Sequence, residues 1–178
     1  MIRENIKILI VEDNRNDATL VEYHVKKIVQ KPEILCVETF EDFVAALSEF
    51  KPDIILSDYK MNGFDGMEVL KYTNENSNVS NFIFITGTIN DEELAAQTIL
   101  SGATGYILKK NINMLDQKLL PYFEQLLDTR EKMLPPGYEK MFSTIRAFID
   151  DARKENQTHI DSYKQIRDAI GEINFKDK

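Results

Sequence analysis

The chain has 178 residues, 43% hydrophobic and 29% charged, with a formal net charge of −8. That length holds one ordinary domain with an appendage or two very small domains, and the composition is that of a soluble globular protein. No run approaches the ~20 apolar residues of a membrane span, Met1-Ile2-Arg3-Glu4-Asn5 lacks a signal-peptide layout, and the acidic balance argues against nucleic-acid binding, which needs clustered Lys and Arg.

The first predicted strand is Ile6-Lys7-Ile8-Leu9-Ile10-Val11, ended by the polar cluster Glu12-Asp13-Asn14. A helix follows over 17–30, with Leu20, Val21, His24, Val25 and Ile28 at helical spacing. His24 lies on that apolar stripe and reads as a structural residue. After Pro32, residues 33–37 form a second strand. Its Cys36 is the chain's single cysteine, which excludes an internal disulfide and reads as a core residue of a reduced, cytoplasmic protein. Residues 40–50 form a second helix with Phe43, Val44, Leu47 and Phe50 on one face, stopped by Pro52. The third strand is Ile54-Ile55-Leu56-Ser57-Asp58, and a loop with Gly63 and Gly66 leads to a third helix beginning at Met67. Phe82-Ile83-Phe84-Ile85-Thr86 is the fourth strand, closed by Gly87. Residues 91–100 form a fourth helix, with acidic residues in its first turn and Gly102 suited to its C-cap. Tyr106-Ile107-Leu108 is the fifth strand, and residues 114–129 the fifth helix.

Five strands, each followed by a helix, make a regular βα repeat. Continuous apolar strands imply burial on both faces, hence a doubly wound parallel sheet with helices on either side. In such a sheet the functional site lies at the carboxyl ends of the strands. Glu12 and Asp13 end the first strand, Asp58 the third, Thr86 the fourth, and Lys109 follows the fifth. Clustered carboxylates repel one another unless a cation is present, and oxygen ligands suit Mg²⁺. Such a site orients a phosphoryl donor against a carboxylate nucleophile. A lone Asp, Thr or Lys at a strand end is usually a cap or a solvated side chain; here the joint pattern carries the reading.

Over residues 5–129 the chain resembles a response-regulator receiver domain of two-component signalling. The matching segments are Ile8-Leu9-Ile10-Val11-Glu12-Asp13-Asn14, Ile55-Leu56-Ser57-Asp58-Tyr59-Lys60-Met61 with Asp65-Gly66, Ile85-Thr86-Gly87, and Gly105-Tyr106-Ile107-Leu108-Lys109. The resemblance implies a flavodoxin-like sheet of order 2-1-3-4-5. It makes Asp58 the acceptor of a phosphoryl group from a sensor histidine kinase or a phosphotransfer protein. It gives Mg²⁺ to Glu12, Asp13, Asp58 and the backbone carbonyl of Lys60. Thr86 and Lys109 would contact the phosphoryl group, and Tyr106 would be the aromatic that changes rotamer with Thr86. Two positions depart from the family pattern. Lys110 stands where a proline with a cis peptide usually follows the lysine, which also leaves two lysines as candidates for the site. Asn62 replaces another common proline and is expected to loosen the loop after Asp58.

Residues 130–178 are not needed for a receiver and hold 10 Lys/Arg against 9 Asp/Glu, whereas residues 1–129 hold 12 against 21. Leu134-Pro135-Pro136-Gly137 is a break, followed by two helical stripes: Phe142, Ile145, Phe148, Ile149 and Ala152, then Ile160, Tyr163, Ile166, Ile170 and Ile173, with Thr158 as an N-cap. Two short amphipathic helices must pack on something. The expected architecture is thus a receiver at 1–129 and a helical extension at 130–178, with dimerisation through the tail or the fourth and fifth helices, and no DNA-binding output domain. His159 reads as a surface residue, since no phosphotransfer motif surrounds it. The expected role is a signalling switch that catalyses only its own Mg²⁺-dependent phosphorylation and dephosphorylation. A phosphohydrolase would want an acid two residues after Asp58, where Lys60 stands, and a never-phosphorylated adaptor would not need the acidic cluster.

Overall fold

Every residue of Ile8-Leu9-Ile10-Val11, Ile54-Ile55-Leu56 and Phe82-Ile83-Phe84-Ile85 is apolar, so neither side of these strands can face water without cost. In the computed structural model, which describes residues 1–87 and 92–132, they occupy the middle of a five-stranded parallel sheet. The elements in chain order are β1 (Lys7–Val11), α1 (Arg15–Ile28), β2 (Glu33–Val37), α2 (Phe40–Glu49), β3 (Ile54–Ser57), α3 (Gly66–Asn76), β4 (Phe82–Thr86), α4 (Glu92–Leu100), β5 (Gly105–Leu108), a 3₁₀ turn (Lys109–Met114) and α5 (Leu115–Lys132). The strand order is β2-β1-β3-β4-β5, as expected for a doubly wound fold.

Alternate residues of each strand feed two separate cores. On one face Ile8, Ile10, Leu56, Ile83, Ile85 and Ile107 pack against Val21, Val25 and Ile28 of α1 and Leu115, Leu119 and Phe123 of α5. On the other, Leu9, Val11, Ile55, Phe82 and Phe84 pack against Phe43 and Leu47 of α2 and Val69 and Leu70 of α3. Each such fully buried side chain contributes roughly 1.5–3 kcal/mol. Full burial stops at the edges of the sheet: β5 alternates buried and half-buried residues, and in β2 only Val37 is buried. Cys36 is therefore exposed and not a core residue, because β2 is an edge strand.

Local signals set the helix ends. Asn14 caps α1: its side chain accepts the backbone N–H groups of Asn16 and Asp17, so the helix begins at Arg15, two residues earlier than expected. Gly102, at φ +102°, ends α4 in a turn where Ala103 N–H reaches back to the Thr98 carbonyl and Gly102 N–H to that of Ile99. His24 is buried and pairs through Nδ1 with Asp116 Oδ1 at 2.9 Å, tying α1 to α5. The chain divides into two units, Met1–Leu127 and Asp128–Lys178, and of the second only residues 128–132, the end of α5, are among the described residues. The break at 134–137, both tail stripes, Thr158, His159 and the start of the fourth helix at Asp91 lie outside the described residues.

Candidate functional site

The backbone ladder of the sheet runs one residue past the strands, and this brings the acidic residues together. Asp58 N–H donates to the Val11 carbonyl at 2.9 Å, and Glu12 N–H to the Val37 carbonyl at 3.1 Å. Glu12 and Asp58 thus stand side by side at the carboxyl edge. Thr86 closes β4, fully buried, and is in register with Leu108, the residue before Lys109. The aliphatic stem of Lys109 passes beside Gly87.

Three carboxylates converge on the Lys109 ammonium. Its Nζ donates to Glu12 Oε2 at 2.7 Å, to Asp17 Oδ2 at 2.7 Å and to Asp58 Oδ2 at 2.8 Å. An ammonium has three hydrogens, so its donor capacity is used completely. The side chains of Glu12, Asp58 and Lys109 are 4%, 11% and 13% exposed, and that of Asp17 is 38% exposed. Burial alone would lower the Lys109 pKa, but the hydrogen bonds to Asp17, Asp58 and Glu12 outweigh it and hold the ammonium charged far above the usual lysine range. Burial pushes the Glu12 carboxyl up, against the pull of Lys109 in the opposite direction. Lys110 is exposed and its peptide with Lys109 is trans, so Lys109 is the lysine of the site.

The second oxygen of Asp58 is held by the backbone. Oδ1 accepts the N–H of Tyr59 at 2.6 Å and that of Lys60 at 3.4 Å. The following loop folds back at once: Gly66 N–H donates to the Tyr59 carbonyl at 2.8 Å and Lys60 bridges Asp65. Asp65 and Glu68 form a reciprocal capping box that starts α3. A Cβ on Gly66 would lie 2.5 Å from the Asp58 carbonyl oxygen and 2.6 Å from Phe84 Cε1, so only glycine permits this approach. Asn62 does not loosen the loop. Its backbone N–H at 2.9 Å and its Nδ2 at 2.6 Å both donate to Asp13 Oδ2, two bonds that a proline could not make.

The structure therefore joins Glu12, Asp58 and Lys109 directly and turns Asp13 to Asn62. It adds Asp17, which sequence reasoning missed. Tyr106 is half-buried and packs against the core on the α2–α3 face. Among the described residues no three acidic, His or Cys side chains form a ready-made metal cage; the ammonium occupies the centre of the carboxylates instead. Three carboxylates against one ammonium, with Asp13 adjoining Glu12 in the chain, leave the site short of positive charge, and hard oxygen donors fit a hard divalent ion. No helix among the described residues is long and apolar enough to cross a membrane.

Residues 8–119 match the family model described as the response regulator receiver domain. The chain is 24% identical over 139 residues to the DNA-binding transcriptional regulator NtrC of Proteus hauseri, covering 77% of this chain and 29% of that one. It thus spans less than a third of that relative's length. Among solved structures it is similar to the signal receiver domain of a protein designated a Luxo repressor from Vibrio parahaemolyticus, with 25% identity, TM-score 0.66, and coverage of 74% of this chain and all of that one. It is also similar to the phosphorylated cyanobacterial phytochrome response regulator RcpA, with 25% identity, TM-score 0.59, and coverage of 71% and 96%.

Proposed function

Because the chain belongs to the response regulator receiver domain family of two-component signalling, we propose that it is a phosphorylation-controlled switch in which Asp58 takes a phosphoryl group from a sensor histidine kinase or a phosphotransfer protein. Receiver domains are signalling switches rather than metabolic enzymes. The observation that carries the reading is the Lys109 ammonium held at once by Glu12, Asp17 and Asp58. A phosphorylated state in the similar RcpA supports it.

In this reading an Asp58 oxygen bonds to phosphorus as the donor's P–N bond breaks. The N–H groups of Tyr59 and Lys60 orient the carboxylate. Lys109 then pairs with the phosphoryl oxygens, the Thr86 hydroxyl donates to another, and Tyr106 follows Thr86 between rotamers. Glu12, Asp13, Asp58 and the carbonyl of Lys60 would hold Mg²⁺, which neutralises charge on the transferring group. The same residues would serve self-catalysed phosphorylation and dephosphorylation.

We assign the receiver to residues 1–129 and a helical extension to 130–178, and propose a cytoplasmic protein whose output is protein–protein contact. Exposed Ile99 and Leu100 on α4 and Leu120 on α5 support contact through the fourth and fifth helices, to a partner or a second copy. Incubation with Mg²⁺ and acetyl phosphate, followed by intact mass, tests the central claim. The expected result is one phosphoryl adduct, lost in Asp58→Asn. No adduct, or an adduct that survives Asp58→Asn, would overturn it.

A further inference from the structure

Three acceptors share the Lys109 ammonium at almost equal distances, 2.7, 2.7 and 2.8 Å, but they have different duties. On the reading above, on which this inference rests, Asp58 is consumed by the phosphoryl group and Glu12 is claimed by the cation. Asp17 belongs to neither set. We propose that Asp17 is a positioning residue, the berth that keeps Lys109 beside the site while the cation displaces it from Glu12 and Asp58.

The local structure supports such a berth. Asp17 is the third residue of α1, and Asn14, next to Asp13, accepts its backbone N–H and so holds this turn beside the acidic pair. The carboxylate can therefore receive the ammonium without a change of fold. Asp17 is also the most exposed of the three acceptors, so water solvates the carboxylate whether or not Lys109 shifts. Without it, an ammonium that is 13% exposed has only Glu12 and Asp58 to satisfy its hydrogens, and it competes with the incoming ion for both. Asp17 acts through Lys109 and need not touch the ion.

A double-mutant cycle tests this, with Mg²⁺ binding to the full chain measured by calorimetry in wild type, Asp17→Asn, Lys109→Met and the double variant. Asn keeps the shape and an acceptor oxygen but removes the charge, and thermal unfolding checks that each variant is folded. Asp17→Asn is expected to weaken Mg²⁺ binding roughly 10-fold, the scale on which residues supporting metal ligands act. In the Lys109→Met background the same substitution is expected to change the affinity less than about 3-fold, since the residue it positions is gone. An unchanged affinity in Asp17→Asn overturns the proposal. So does an equal loss in both backgrounds, which would make Asp17 a ligand or a simple attracting charge. Should the wild-type chain not bind Mg²⁺, the phosphoacceptor reading falls and takes this proposal with it; wild-type binding with no Asp17 effect removes the proposal alone.

Discussion

Lys109→Met deletes one charge and leaves the volume of the side chain nearly intact, so its effect isolates what the ammonium contributes. Removing one partner of a buried ion pair costs about 3–5 kcal/mol, because the remaining charge is stranded. The bond to Asp17 adds little to that sum, since that carboxylate is 38% exposed and is screened by water. The cost falls on Glu12 and Asp58, 4% and 11% exposed, and Glu12 escapes part of it by taking a proton. We therefore expect a loss of about 2–4 kcal/mol near neutral pH, read from urea unfolding with an unchanged slope. The pH dependence has a defined sign. Glu12 already sits above its ordinary 4.5 because of burial, and Lys109 is what pulls it down. Its deletion raises the folded-state pKa further. A carboxyl raised in this way favours the fold while protonated, and that contribution is lost as pH rises through the folded pKa. The deficit of the variant should thus be larger at about pH 8 than at about pH 5, and added Mg²⁺ should recover part of it by binding the native state. A deficit below about 1 kcal/mol, or one independent of pH, would refute the view that the ammonium neutralises the cluster.

Gly66→Ala places a methyl group on the Asp58 carbonyl and on Phe84; a loss of about 1–3 kcal/mol in chemical unfolding is expected, together with slower phosphorylation by acetyl phosphate. Normal stability there would mean that the loop shifts freely. Asn62→Ala removes the Nδ2 bond to Asp13 and should cost about 0.5–1.5 kcal/mol and speed amide exchange around residues 61–63; unchanged exchange would argue against a tie. Burial raises the Asp116 carboxyl, but its hydrogen bond to His24 outweighs this and holds it below the ordinary 3.8. That contribution is present above 3.8 and lost as pH falls through the folded pKa, so the advantage of wild type over Asp116→Asn should shrink in acid. An advantage that does not decline would show that the pair contributes nothing through charge.

The strands were readable because an unbroken apolar run leaves no side for water, and the strand ends then delivered Glu12, Asp58 and Lys109 to one edge. Cys36 was misread because an apolar run does not say whether a strand is central or at an edge, and β2 has a neighbour on one side only. Asp17 escaped notice for a different reason. An acid in the first turn of a helix is already explained by the helix dipole, and nothing in its spacing tells that a lysine 92 residues away reaches it at 2.7 Å. Asn62 was judged by what it lacks, the rigidity of proline, when its two donors decide the matter.

The full saturation of Lys109 has a consequence for how the site meets its ions. The chain carries its own tethered counter-ion, whose effective concentration is set by the fold and does not vary with the medium. On the proposed reading, a free divalent ion would enter by exchange against that tether, not by filling a void. The exchange point would then set the concentration at which the ion binds, and side-chain changes around the ammonium would raise or lower it without touching a ligand. Monovalent salt should shift that concentration only weakly, because a contact held at 2.7–2.8 Å and largely shielded from water is far shorter than the screening length of the medium.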